Sequence, residues 1–190
     1  MIETAQLRMA YIRTARLRLR PPDLGDAPAL AALMTPSISR WLARWPFPFT
    51  VEMAQARIAD AMDGMVQGRT LFCIIERQGV LAGCIGGARL PNTDRASFGF
   101  WLGEPHHGRA LMQEAAPAFV ETLRTSLVLT SVEAACQPDN HASAKVLKAC
   151  GLHRIGNRIE HVPARNREEN VDIWERIWAP QPSSMAPLLA

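Results

Sequence analysis

Polar and apolar positions along this chain switch between two periods, and the switches mark out the elements. Ile12–Arg20 alternates Arg16, Arg18 and Arg20 against Leu17 and Leu19, the period of a half-buried strand. Pro21-Pro22 ends it, and Asp23 is a helix-start signal. Ala27, Leu30, Ala31 and Met34 then recur at helical spacing until Pro36 closes the run. Trp41–Phe49 is an aromatic, proline-rich loop. Thr50 caps a second helix whose apolar line is Val51, Ala54, Ile58, Ala61 or Met62, and Met65. Leu71–Arg77 and Val80–Leu90 flank Gln78-Gly79, a two-residue hairpin connection. Ala96–Leu102 is a further strand, followed by a small-residue turn and a helix from Arg109 to Leu123 with Leu111, Ala115, Phe119 and Leu123 on one line. Pro117 lies deep in that helix and predicts a kink. Ser126–Cys136 is apolar and β-branched, as a central strand is. Ala142, Val146 and Cys150 predict a short helix stopped by Gly151. Ile155–Val162 and Asn170–Ile177 form a closing pair of strands, and Pro180–Ala190 is an aperiodic, frayed tail.

The order is β-α-α-β-β-β-α-β-α-β-β. Strands alternating with helices after an antiparallel meander imply an α/β fold with a mixed, mostly antiparallel sheet and helices on both faces. No internal repeat is visible. At 190 residues the chain reads as one domain over 11–179, with an N-terminal extension at 1–10 and a flexible tail at 180–190.

Composition narrows the function classes. Hydrophobic content of 48% and charged content of 21% are those of an ordinary globule. No apolar run approaches the ~20 residues of a membrane span, and no secretory leader opens the chain, so a cytoplasmic protein without a membrane partner is expected. The net charge of +3 is mild and suits an anionic ligand. No basic stripe interleaves with aromatics, which argues against nucleic acid. Cys73, Cys84, Cys136 and Cys150 form no CxxC pair and sit in apolar runs, as buried free thiols do. His106, His107, His141, His153 and His161 have no ligand spacing with acids, and no metal is expected.

Two segments carry the chemistry. Pro105-His106-His107-Gly108-Arg109-Ala110 joins a strand to a helix. There Gly108 lets a ligand approach the backbone, Ala110 keeps the surface small, and the first helical N–H groups, through Met112, point at an anion. Arg109 adds a charge-assisted donor. Asn140-His141-Ala142-Ser143 opens the next helix with an amide and a hydroxyl. Helix capping alone accounts for Asn140 and Ser143. It does not require the whole ordered series Asn140, Ser143, Val146, Leu147, Gly151 and Leu152.

Taken together these segments resemble the acyl-coenzyme A grip of the GNAT N-acetyltransferase superfamily, in its RimJ/RimL-like ribosomal-protein-alanine branch. The likeness extends from Thr14 to Trp178 and includes Thr14–Arg20, Asp26, Trp45–Thr50, Glu160-His161-Val162 and Asp172. It departs at Pro105, where the family's turn carries Gln or Arg, and at Ser97, where relatives often carry glutamate. The resemblance implies a GNAT-like fold and acetyl-CoA as co-substrate. It implies a cofactor site built from Trp101, Leu102, Gly103, His107, Gly108, Arg109, Ala110, Leu111, Met112, Asn140, Ser143 and Lys148. Ser143 would protonate the leaving thiolate, Glu160 or His161 would take the amine proton, and Trp45, Phe47 and Phe49 would wall the acceptor site. A backbone N–H near Trp101 or Leu102 would polarise the thioester carbonyl.

Transfer by direct attack in a ternary complex is expected, since no cysteine has a base partner in these motifs. An α-amino group ionises near 8, whereas a lysine amine must be brought down by about three pH units, roughly 4 kcal/mol. An α-amine acceptor therefore needs little more than a modest base or a water chain, and the resemblance implies a protein or peptide N-terminus as the acceptor. A small-molecule amine (polyamine, amino acid or antibiotic) and a non-catalytic acyl-CoA sensor on the same fold are the alternatives. Monomer and homodimer both remain open.

Overall fold

Among the described residues eight strands form one sheet, and its single parallel joint decides where everything else sits. The computed structural model describes residues 11–179. The extension and the tail expected at either end lie outside the described residues. The strands are β1 (Ile12–Arg13), β2 (Arg18–Arg20), β3 (Thr70–Arg77), β4 (Val80–Arg89), β5 (Arg95–Leu102), β6 (Ser131–Cys136), β7 (His153–Val162) and β8 (Arg167–Ile177). Their order is β1-β2-β3-β4-β5-β6-β8-β7. Every pairing is antiparallel except β5 with β6, which run parallel through Arg95↔Ser131, Ala96↔Val132 and Ser97↔Glu133 only. Beyond Ser97 the two strands part, while β5 stays paired with β4 as far as Gly83↔Leu102.

Helices cover both faces. On one lie α1 (Ala27–Leu33), α2 (Pro36–Ser39) and α3 (Val51–Val66); on the other lie α4 (Leu111–Leu127) and α5 (His141–Ala149). Strand alternation divides the core accordingly. Ala54, Ile58, Phe72, Ile74, Cys84 and Trp101 pack together on the first face. Phe98, Leu102, Leu111, Phe119, Leu123 and Leu147 pack on the second. The stripe expected on α4 is fully buried: Leu111, Ala115, Phe119 and Leu123 are at most 1% exposed. On α3, Ala61 and Met65 are buried while Met62 is exposed.

Local signals explain the well-placed ends. The Thr50 side chain accepts from Met53 N–H and starts α3. Gln78 and Gly79 both have positive φ, as a tight β3–β4 turn requires. Gly151 follows α5 at φ +78°, and Leu152 N–H reaches back to the Leu147 carbonyl at 3.1 Å, so the helix closes as a Schellman cap.

Three expectations are corrected. The strand predicted over Ile12–Arg20 is two, because Thr14 N–H bonds the Leu17 carbonyl at 3.0 Å and reverses the chain. Pro36 does not merely close α1; it stands in the first turn of α2, where its missing N–H costs nothing. Ser126 and Leu127 belong to α4, not to the strand, which starts at Ser131. The helix also runs on through Pro117, which removes the N–H that would otherwise meet the Gln113 carbonyl.

Candidate active site

Strand β5 leads into a turn whose geometry is held from outside. Gly108 (φ +70°) and Ala110 (φ +54°) both take the left-handed conformation, and α4 begins without a side-chain cap. The first backbone bond into the helix is Glu114 N–H to the Ala110 carbonyl, at 3.2 Å. Its earliest amides are therefore free to receive an anion. The turn is pinned by the β1–β2 reversal. Glu114 accepts from Thr14 Oγ1 (2.5 Å), Arg16 N (2.8 Å) and Arg16 Nε (2.6 Å), and Arg16 Nη1 donates to the Arg109 carbonyl at 3.0 Å. Burial works to raise the Glu114 carboxyl, but those hydrogen bonds outweigh it and hold it below the usual range. His107 Nε2 lies 2.7 Å from the Leu102 carbonyl. A carbonyl only accepts, so Nε2 carries the proton there. His106 is buried at Nδ1 without a partner, and burial followed by Arg109 and Arg77 lowers its pKa.

The second segment sits beside the first. Asn140 Oδ1 accepts from Ser143 N–H at 3.1 Å and caps α5. Its side chain thus does the capping job, while the residue still lines the site. The Ser143 hydroxyl makes no hydrogen bond among the described residues.

Two cavities meet at this point. One, of about 950 Å³, runs along the turn and the start of α5 and takes in Trp101, Leu102, His107, Gly108, Ala110, Leu111, Met112, Asn140 and Ser143. Ser37, Ile38, Trp41, Leu42, Gln113 and Lys145 are also part of its wall. The other, of about 770 Å³, is bordered by Ser97–Trp101 of β5 and Glu133–Cys136 of β6 and is also lined by Trp45, Arg57, Arg158 and Glu160 among others. Trp41, Leu42, Phe100, Trp101 and Ser143 line both.

Not every expected residue reaches these walls. Gly103 packs on α1, where a Cβ would stand 2.6 Å from Leu33. Arg109 turns its carbonyl to Arg16, and Lys148 lies over the Trp174 ring at 5.8 Å; neither lines a cavity. Phe49 is core, packed on Trp45 with ring centroids 5.0 Å apart, and Phe47 is 52% exposed. On β7, Glu160 faces the second cavity and bonds Arg158 at 2.6 Å. His161, one residue on, is turned to the surface beside Glu168 at 3.2 Å, as strand alternation demands.

Of the wall formed by residues 37–45, sequence reasoning named Trp45 and missed Ser37, Ile38, Trp41 and Leu42. Arg165, in the β7–β8 turn, holds it. Its Nη1 donates to the Ser39 carbonyl (2.9 Å) and the Leu42 carbonyl (3.1 Å), and its Nε and Nη2 bond both oxygens of Glu169. Arg165, Arg167 and Gln137 hold the Glu169 carboxyl down at about 2 against the opposing effect of burial. Nothing in the run Arg165–Glu169 marked it beyond an Arg–Glu pair four apart.

The four cysteines are free and buried. Burial pushes Cys73 and Cys150 up to about 12 and Cys84 higher still. Cys84 and Cys136 line the second cavity, and Cys136 is also raised by burial. Thiols so placed stay protonated at neutral pH and are poor nucleophiles. Among the described residues, no helix is long and apolar enough to cross a membrane.

Comparison with known proteins agrees with this geometry. An uncharacterized N-acetyltransferase, p20, of Bacillus licheniformis is 29% identical over 163 residues, covering 84% of this chain and 91% of its own. A RimL ribosomal L7/L12 alpha-N-protein acetyltransferase, solved with coenzyme A, superposes with a TM-score of 0.76 at 23% identity, over 88% of this chain and 97% of its own. The Salmonella typhimurium acetyl transferase that modifies the N-terminal serine of ribosomal protein L7/L12 does so with a TM-score of 0.77 at 21% identity, over 88% and 99%. The acetyltransferase (GNAT) domain model matches residues 16–153. With an uncapped helix after the parting strand, a second capped helix beside it and that match over most of its length, the chain belongs to the GNAT acetyltransferase family, and it is an acyltransferase.

Proposed function

We propose that this protein transfers the acetyl group of acetyl-CoA to the α-amine of a protein or peptide N-terminus, by direct attack. One observation carries the reading: the two cavities join at Ser143, Phe100 and Trp101, where β5 has left β6. A carrier thioester laid along the first and an amine entering from the second meet there.

The strand supplies the oxyanion donor. Gly103 N–H donates to the Ala82 carbonyl at 2.9 Å, so the backbone groups of Gly103 and Trp101 face β4, and those of Leu102 and Phe100 face the gap. The Leu102 carbonyl, held by His107, lies on that side too. The Leu102 or Phe100 N–H therefore polarises the thioester carbonyl, and the bond Trp101 makes to β4 keeps the donor rigid. The free turn at Gly108–Met112 seats the carrier's diphosphate. The amine nitrogen bonds the carbonyl carbon, and the tetrahedral adduct expels the thiolate. Ser143 Oγ–H, with no competing partner, passes its proton to the sulfur and regains one from solvent as the sulfur is protonated. Glu160, or water held between it and Glu133, takes the proton from the amine. Protonated cysteines in the second cavity support transfer without an acyl-enzyme.

The acceptor class is supported by the amine's chemistry: an N-terminus needs only the modest base that a wall carboxylate provides. RimL, similar in fold, is by its description an alpha-N-protein acetyltransferase. The test is coenzyme A release with Ala- and Ser-starting peptides, polyamines and free amino acids. Turnover with peptides ahead of spermidine is the expected result. Tight acetyl-CoA binding with no turnover on any amine would replace the enzyme by a sensor.

A further inference from the structure

Arg57 is a cation in the acceptor-side wall with no ion-pair partner among the described residues. It lies on α3 beside the fully buried Ile58 and lines the second cavity. Its guanidinium stacks 4.6 Å from the Trp45 ring centroid. Trp45 in turn stands edge-on to Trp101 at 5.2 Å. One donor, Nη2, is spent on the Arg44 carbonyl. Among the described residues no carboxylate lies within ion-pair distance of Arg57; Asp60, one turn on and in the same wall, is beyond it. Desolvation lowers the pKa of Arg57 and Arg44 adds to that, outweighing the opposing pull of Cys84 and of the Asp60 carboxylate.

Two other cations of this wall, Arg158 and Arg89, are engaged. Arg158 is bonded to Glu133 (3.1 Å) and Glu160 (2.6 Å), and Arg89 to Asp94 at 3.1 Å. The Arg44–Arg57 end therefore carries two guanidiniums against the single unbonded carboxylate of Asp60, while carboxylates prevail at the Glu133–Glu160 end. A guanidinium whose plane is fixed by an indole and whose rotation is fixed by a backbone carbonyl has little freedom left to lose, and its unspent N–H groups match an oxyanion. A half-buried charge is unfavourable until something pairs with it. The acceptor supplies that partner.

We infer that Arg57 binds an anionic group, carboxylate or phosphate, on the acceptor, so that the enzyme takes amines that also carry an oxyanion, the ammonium at Glu160 and the acid at Arg57. This rests on the second cavity being the acceptor site proposed above. It disfavours polyamines, which would bring a second cation to the Arg57 end.

The test measures calorimetric binding to the full chain saturated with coenzyme A, using matched pairs: Ala-Glu-Ala-Ala-amide against Ala-Gln-Ala-Ala-amide, aspartate against asparagine amide, phosphoethanolamine against ethanolamine. The pairs separate a peptide side chain, a free amino acid and a phosphate as the source of the anion. The expected result is at least tenfold tighter binding of the acidic member in one or more pairs, about 1.4 kcal/mol. Arg57→Met abolishes that ratio and Arg57→Lys keeps part of it. A ratio near one in every pair, no binding of any acidic probe, or a ratio that survives in Arg57→Met overturns the inference. Turnover is read separately. Acetylation of free acidic amino acids but of no peptide refutes the N-terminal acceptor and leaves the anion subsite standing; acetylation of peptides regardless of charge does the reverse.

Discussion

Replacing Arg165 by methionine tests whether the wall shared by both cavities is held by one side chain. Arg165 and Glu169 are 18% and 11% exposed, so the pair is only lightly screened. The substitution removes two charge-assisted bonds to Glu169 and the donor to the Ser39 and Leu42 carbonyls. Stranding a fully buried partner costs about 3–5 kcal/mol. Glu169 is not stranded, since Arg167 at 2.7 Å and Gln137 at 3.1 Å remain. A loss of about 2–3 kcal/mol is therefore expected, most of it from the two bonds to the carboxylate at about 1 kcal/mol or more each. The pH dependence gives an independent handle. The folded carboxyl at about 2 lies below its ordinary 4.5, so above that ordinary value the clamp contributes fully, and its contribution is lost as pH falls from there toward 2. Urea unfolding of wild type and Arg165→Met at pH 7 and near pH 3 should show a gap at neutral pH that narrows in acid. Ala164 N–H still reaches the Ala43 carbonyl at 3.0 Å, so the loop stays tethered and catalysis falls severalfold without vanishing. Equal urea midpoints at pH 7, or a gap that widens in acid, would refute the clamp.

Other perturbations follow from the same geometry. Ser143→Ala should lower kcat by about a hundredfold, the scale of one general acid, with acetyl-CoA affinity by calorimetry nearly unchanged; unaltered kcat removes the proton-donor role. Gly108→Val places a β-branched residue at φ +70° and should weaken coenzyme A binding at least tenfold while leaving far-UV circular dichroism intact. Gly83→Ala would put a Cβ 2.2 Å from the Trp101 carbonyl, forcing β4 and β5 apart, and should cost about 1–3 kcal/mol in urea unfolding together with a fall in kcat. Iodoacetamide at pH 8 should leave Cys73, Cys84 and Cys150 unmodified by mass spectrometry until the chain is unfolded.

What the chain spells out locally, the structure repeats. Thr50, Gln78-Gly79 and Gly151 each satisfy a backbone demand within a few residues, and the α4 stripe needs only its own period to declare a buried face. The readings that failed depend on partners far along the chain. Ile12 and Arg13 precede the Thr14–Leu17 turn and Arg18, Leu19 and Arg20 follow it, and apolar and arginine positions continue to alternate across a reversal held by Glu114 and β3. Val128 ends α4 at φ +50°, a conformation β-branched residues disfavour, so no stop signal precedes β6. Phe49 and Trp45 are equivalent as aromatic letters, and packing alone sends one to the core and the other to a cavity. Arg57 and Arg165 look like ordinary helix-face and turn charges; their meaning lies in which carbonyls and carboxylates the fold brings, or fails to bring, within reach.

The location of the site follows from the one parallel joint. Antiparallel neighbours connect at adjacent ends, but parallel β5 and β6 need a crossover, and α4 is that crossover. Both strands therefore point their C-terminal ends the same way, and the segments leaving them, the turn into α4 and the turn into α5, emerge side by side. Ligand crevices form outside the carboxyl ends of parallel strands where neighbouring connections diverge. Pairing stops after Ser97↔Glu133, which leaves the last residues of β5 with unpaired backbone groups, a liability in a closed sheet unless a ligand takes them. The two motifs lie one crossover apart in sequence because the crossover must climb back the length of a strand. A break in that relation, by lengthening the Glu104–Ala110 turn by one residue, would rotate the first amides of α4 away from Ser143 while leaving each motif's sequence intact, and both acetyl-CoA affinity and turnover should fall together.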